Sequence, residues 1–386
     1  APPTQGTSPK RPRPAPPTSK SVSRALRHLY ICASPRRVYG QLSWPGMRRF
    51  SRFDLLHIPA AELSAAFRKR LASHRAALGA LRLPAAFDDA TGHLVRGWDE
   101  ASAQSSDADA LAAADASAGR AVAAIRSLEP AIRSSPSAQA LLHGTFSAII
   151  GARALVQSAA AGASPEARRG MLLEGSLLSS LCADVIEDAR AFCREKYGDS
   201  PEVRLQRVVT SGGGDEPGTG GRASGEEGGE VAQADGVLVA PFVGFALHEL
   251  LKNAMGAHCR SVGADCLDRL PPVIVRYGSR GGAAFVGVTD AGGGLAGAPE
   301  EALRFLHSTN PEREPNYTYS RAFGAPFEGL GMGLPLAALH ARYHGGELHL
   351  RPAGQAGCHA AFSLRVAADA AEPEGEEGVS WQSAER

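Results

Sequence analysis

The hydrophobic period of the chain changes after Pro201, from helical alone to strands mixed with helices, and this change restricts the fold more than any other feature. Before it, apolar residues recur every three or four positions, the spacing of a helix that buries one face. Residues 60–81 set Leu63, Phe67, Leu71, Leu78 and Leu81 in such a stripe, and Pro84 closes the run. Residues 138–156 repeat the pattern with Leu142, Phe146, Ile149 and Val156. Residues 177–197 do so with Leu178, Leu181, Val185, Ala189 and Phe192, and Gly198 is placed as the stop. The Ala- and Ser-rich stretch 101–124 supplies a fourth helix. Together they predict an N-terminal four-helix bundle over 29–198.

After Pro201 the shorter spacing of strands appears among the helices. Val203, Leu205 and Val208 begin one, and the Gly- and Glu-rich run 211–236 that follows is too polar to pack, so it reads as a disordered insertion. A helix over 242–259, strands over 273–277, 285–289, 347–350 and 361–366, and a helix over 334–343 come next, with glycine-rich loops between them. This order predicts an α/β sandwich over 199–368, one sheet covered by helices, and an α+β class for the whole chain. An acidic tail, 369–386, is expected to be unstructured.

Two domains are also what 386 residues suggest, since one core rarely serves so long a chain. A formal charge of +1 argues against a nucleic-acid binder with a basic face. The charge is uneven, however: no Asp or Glu precedes Asp54, while Lys10, Arg11, Arg13, Lys20, Arg24, Arg27, Arg36 and Arg37 stand among Ser and Pro. An Arg- and Ser-rich, acid-poor start is what mitochondrial import uses, so 1–28 reads as a transit-like leader; a Pro-rich disordered start without an address reads equally well. No apolar run reaches the length of a bilayer span. The six cysteines form no CxxC pair, which points to free thiols.

Three strings could carry chemistry. Glu249, Lys252 and Asn253 share one face of the helix over 242–259 and offer a proton acceptor, a phosphate counter-charge and a hard oxygen ligand for magnesium. A solvated polar helix face has the same pattern. Asp290-Ala291-Gly292-Gly293-Gly294 follows a strand; a carboxylate there can accept from an exocyclic amine such as adenine N6, and glycines let a flat base approach the backbone. A tight turn would look alike. Gly329-Leu330-Gly331-Met332-Gly333-Leu334-Pro335 runs into a helix, so its backbone N–H groups can cradle phosphates; a hinge is the plainer alternative. Upstream, 308–327 is long and polar, as a lid over nucleotide would be.

In this order, HELLKNAM, DAGGGL and GLGMGLP resemble the N, G1 and G2 boxes of the ATP-binding superfamily of gyrase, heat-shock and mismatch-repair ATPases and histidine kinases. Within it, the chain resembles the mitochondrial kinases of pyruvate dehydrogenase and branched-chain 2-oxoacid dehydrogenase. That likeness rests on Glu249 to Met255, on LHSTNP from Leu306, on Ser320-Arg321-Ala322, on DVIEDARAFCREKYGDSPEV from Asp184, and on Leu94-Val95-Arg96-Gly97-Trp98. The resemblance implies a matrix protein-serine kinase that inactivates its target by phosphorylating the E1 alpha subunit, docks the lipoyl domain of the E2 core through its bundle, and forms a homodimer. It implies Glu249 as general base and Asn253 as magnesium ligand. Asp290 would read adenine, and Gly292, Gly294, Ser308, Thr309, Gly329, Leu330, Gly331, Met332, Gly333 and Leu334 would surround ATP.

Three positions depart from the family. Phe245 replaces a His often found four residues before the base, and Gly256 replaces an Arg that commonly follows KNAM. Gly357-Cys358-His359 replaces a GTD-like string, removing a hydroxyl near the base. A catalytically quiet, nucleotide-binding regulatory subunit is the alternative they raise. A histidine kinase is disfavoured because His248-Glu249 cannot serve as acceptor box and N box at once, and no HRD, DFG or Walker string supports other kinase classes. Lys196-Tyr197-Gly198 leans toward branched-chain kinases, whereas LHSTNP and Ser320-Arg321-Ala322, nearer the site, lean toward pyruvate dehydrogenase kinases.

Overall fold

The computed structural model describes residues 49–161, 172–174, 178–208, 237–280, 283–308, 330–354 and 356–366. The expected leader, insertion and tail lie outside these residues, as do Thr309, Gly329 and Ser320-Arg321-Ala322.

A short helix, α1 (Arg52–His57), opens on a reciprocal cap: the Asp54 N–H donates to Ser51 Oγ at 3.0 Å and the Ser51 N–H to Asp54 Oδ2 at 2.8 Å. Helices α2 (Ala60–Ala80), α3 (Asp88–Ala103), α4 (Asp107–Arg126) and α5 (Pro136–Ala160) then form a four-helix bundle. The stripe of α2 is buried as its period requires, at Leu63, Phe67, Leu71 and Leu78. Two features differ from the sequence reading. The Ala- and Ser-rich stretch is not one helix: it breaks between α3 and α4, where the Ser106 side chain accepts from the Asp109 N–H and starts a new one. These two helices lie very close, for a Cβ at Gly97 would fall on the Ser117 side chain, and the facing alanines 110, 114, 118 and 121 are buried. Trp98 is buried beside them, its ring 4.5 Å from that of His74.

The second difference concerns α6 (Leu178–Tyr197). Its period predicts a bundle face. Instead, Leu178, Cys182, Val185, Ile186, Ala189 and Cys193 join the core of the second domain, against α7 (Ala240–Val262). A helical stripe states that a face must be covered but not by what, so the bundle takes α3 as its fourth member. Gly198 ends α6 at φ +92°, its N–H bonded to Arg194 O, as expected of a left-handed stop.

The second domain carries a five-stranded sheet in the order β2-β4-β5-β7-β6. Its strands are β2 (Val203–Arg207), β4 (Val273–Arg280), β5 (Ala283–Asp290), β6 (Leu348–Ala353) and β7 (Gly357–Arg365). Only β2 and β4 pair in parallel, as the crossover through α7 requires. Two short strands absent from the sequence reading, β1 (Leu172–Glu174) and β3 (Val237–Val239), pair antiparallel beside it. Helices α6, α7 and α8 (Gly333–Tyr343) pack with the sheet in one core.

Both α7 and α8 also face the bundle. Phe242, Phe245, Leu336, Leu339 and Tyr343 lie in the bundle's core, whereas Ala246, Leu247, Leu250, Ala337 and Ala341 lie in the sheet's. These two helices are therefore a shared wall, which explains why α7 is apolar around most of its circumference.

Candidate functional site

One cavity of about 480 Å³ opens between α6, α7, the start of α8, and the strand ends of β5 and β7. Its lining includes Glu249, Asn253, Asp290, Gly294, Ser308, Gly331, Gly333 and Leu334. The two outer strings of the sequence thus meet the Asp290 string across a single space. The size falls within the roughly 300–1,000 Å³ usual for small-ligand sites.

Glu249 is 5% exposed. Its Oε1 accepts from Lys252 Nζ at 2.7 Å, a pair three residues apart on α7. The Lys252 ammonium also lies 5.5 Å from the Phe192 ring centre. The other carboxylate oxygen, Oε2, rests against Gly333, where any Cβ would collide with it. The third glycine of the loop is thus a gap cut for this carboxylate. Asn253 stands one turn further along α7, exposed on the cavity wall.

Asp290 ends β5. Burial pushes its carboxyl above the ordinary range, while the N–H groups of Gly292 and Cys358 pull it down; Gly292 N–H donates to Oδ1 at 2.9 Å. Gly292 lies outside the cavity wall: a Cβ there would strike the Ala257 backbone, so its role is close packing of the turn on α7. The same turn is pinned by a residue that the sequence reading passed over. His258 Nε2 accepts from the Ala291 N–H at 3.0 Å, and burial lowers the pKa of its ring, which keeps that lone pair available. An isolated His on a helix carries no sequence signal for such a contact.

The glycine loop divides. Gly331, at φ +70°, has no room for a Cβ beside His307 O, and its own carbonyl accepts from the Leu306 N–H at 3.0 Å. Leu330 and Met332 do not line the cavity; both are buried in the bundle-side core. Alternation explains this, because the glycines facing the cavity turn the residues between them the other way. That bond ties Leu306 directly to the glycine loop.

The chemistry of this donor set fits a nucleotide with magnesium. Among the described residues no cluster of three His, Cys, Asp or Glu side chains could hold a metal alone. One exposed amide oxygen at Asn253 suits an ion that arrives with phosphate and keeps its waters.

No protein-family model matches the chain. Its sequence is 28% identical over 195 residues to [Pyruvate dehydrogenase (acetyl-transferring)] kinase, mitochondrial, of Drosophila melanogaster, covering 50% of this chain and 42% of that protein. The Arabidopsis thaliana protein of the same name is 29% identical over 196 residues, 48% of this chain and 45% of that one. Over about half of its length the chain is similar to proteins named pyruvate dehydrogenase kinase. A probable pyruvate dehydrogenase kinase of Caenorhabditis elegans is 30% identical over 174 residues, 45% of this chain and 37% of that protein. The chain spans less than half the length of the curated relatives it matches. Among solved structures, the catalytic domain of histidine kinase ThkA aligns at a TM-score of 0.33 and 12% identity, over 51% of this chain and 97% of that one.

The three departures from this kinase family fall in different places. Phe245 points away from the cavity, its ring 4.5 Å from that of His340 in the shared wall. Cys358 pairs with Asp290 across β5 and β7, and burial together with Asp290 pushes its thiol up to about 11. Gly256 lies beneath Arg260 and Tyr197. His248, beside Glu249, is buried and its pKa lowered to about 4 by that burial. Among the described residues, Cys182, Cys193, Cys259, Cys266 and Cys358 are free thiols, and no helix is long and apolar enough to cross a membrane.

Proposed function

We propose that this protein is an ATP-dependent protein-serine kinase that phosphorylates the E1 alpha subunit of a mitochondrial 2-oxoacid dehydrogenase complex, pyruvate dehydrogenase foremost, and so inactivates it. The observation that carries this reading is the convergence of Glu249, Asn253 and Asp290 on one cavity that Gly331 and Gly333 also line. The names of the relatives favour pyruvate dehydrogenase over the branched-chain complex.

In this reading Asp290 accepts a hydrogen bond from the adenine amine, and the backbone around Gly331 and Gly333, at the start of α8, receives the phosphates. Asn253 would hold magnesium, which when bound offsets phosphate charge. The substrate serine oxygen attacks the γ-phosphorus, the bond to the ADP oxygen breaks, and the serine proton passes to Glu249. Lys252 steadies the carboxylate, and the gap at Gly333 leaves its second oxygen room. The target subunit, docking of the E2 lipoyl domain on the bundle, a homodimer and a matrix location belong to the same proposal.

The test is incubation of purified protein with magnesium ATP and purified E1 of each complex. Serine phosphate should appear on pyruvate dehydrogenase E1 and vanish with Glu249→Gln while nucleotide binding persists. Nucleotide binding without transfer by the unaltered protein would leave only the regulatory-subunit reading.

A further inference from the structure

We infer that Arg260, on the last turn of α7, is a phosphate-binding residue of this site, and that Gly256 is the space that lets it act there. The inference rests on the nucleotide reading given above.

Four positions of α7, Glu249, Asn253, Gly256 and Arg260, follow one another at spacings of four, three and four, so they lie along one helix face. Glu249, Asn253 and Arg260 all line the cavity. Long helical side chains lean toward the N-terminus of their helix. Arg260 does so: its Nη1 lies 2.9 Å from where a Cβ of Gly256 would be, over the glycine and toward Asn253. Nη1 also donates a long, exposed bond of 3.5 Å to the Tyr197 hydroxyl at the end of α6, another residue of the cavity lining. The opening around it is polar and solvent-reached, as the exposed Arg260 and Asn253 show.

Charge then decides what the guanidinium is for. The nearby ammonium of Lys252 is already committed to Glu249 at 2.7 Å. Arg260 forms no ion pair with a carboxylate among the described residues. A polyphosphate brings several negative charges to this wall, and a planar guanidinium with five N–H donors matches phosphate oxygens two at a time. A base-stacking role is poorly served, since the side chain runs along the helix toward the metal-binding amide. An acidic group of the protein substrate is the competing ligand, and the experiment separates it.

Calorimetric binding of ATP, ADP and adenosine, with magnesium present, should be compared for the full chain and for Arg260→Gln, Arg260→Lys and Gly256→Leu. Expected is a loss of about tenfold for ATP and ADP with Arg260→Gln, an unchanged adenosine affinity, and partial recovery with Arg260→Lys. Gly256→Leu, which pushes the guanidinium off the wall, should reproduce the loss and add nothing to Arg260→Gln. Equal ATP affinity in all variants, whether or not the KM for the protein substrate rises, overturns the inference, as does an equal loss for adenosine. If the unaltered chain binds none of the three, the nucleotide reading itself has failed.

Discussion

Glu249 is held from two sides by different means, an ammonium on one oxygen and a missing side chain on the other. Gly333→Ala therefore has a sharp expected effect. The methyl group would drive the carboxylate off its present position, and displacing a reacting group by about 1 Å costs about a hundredfold in rate. Steady-state serine phosphorylation should show that fall in kcat, with thermal stability little altered because the site faces a cavity. Gly331→Ala is different in kind. There the left-handed φ and the His307 carbonyl both oppose a side chain, so lower stability should accompany lower activity. At the turn after β5, His258→Leu removes the acceptor of the Ala291 N–H and leaves that donor without its bond. A cost of about 1–3 kcal/mol is expected, read in a denaturant titration together with weaker adenosine binding.

Between elements, the most specific tie runs from the bundle to the segment before the glycine loop. The Gln139 side chain of α5 donates to Phe305 O at 3.0 Å and accepts from the Phe305 N–H at 2.8 Å, and the Phe146 ring stacks on Phe305 with centroids 6.0 Å apart. Directly after it, Leu306 holds a left-handed φ of +63° while bonded to Gly331, a strain of roughly 1–2 kcal/mol that neighbouring contacts must sustain. Gln139→Ala removes both hydrogen bonds. Amide exchange at 305–308 should accelerate, and that of the α7 interior should stay unchanged. Equal acceleration in both places would mean that the helix supports the whole domain and not this joint.

Across the whole molecule, the joint between the bundle and the wall of α7 and α8 is also where histidines are held neutral, His340 and His344 fully buried and His143 half-buried on α5. His143, His340 and His344 each have their pKa lowered to about 3, chiefly by burial. His143 accepts from Arg342 Nη1 at 3.0 Å and His344 from the Val239 N–H at 3.0 Å, bonds that protonation would break. A histidine near 6.5 when unfolded and near 3 when folded takes up its proton only in the unfolded chain between those values. Stability is thus full above about pH 6.5 and falls as pH drops toward 3, each such residue contributing a slope of up to about 1.4 kcal/mol per pH unit. Urea midpoints measured from pH 7.5 to pH 5 should decline accordingly. A flat profile would refute neutral burial at this joint.

What the residues determined alone was local and periodic. Helical stripes, strand spacing, the stop at Gly198 and the three strings around Glu249, Asp290 and Gly331 all follow from backbone geometry and side-chain type within a few positions. The cap at Ser106 was legible by the same rule, but the alanines on either side favour a helix so strongly that it was read through. Tertiary structure decided which buried face met which. It sent α6 to the sheet and α3 to the bundle, turned Leu330 and Met332 inward from a loop whose glycines face the cavity, set Gly292 on α7, and folded Arg260 over Gly256. The reason is physical: burial of apolar surface is favourable whatever covers it, so a hydrophobic pattern demands a partner without naming one, and the choice falls to packing over the whole chain.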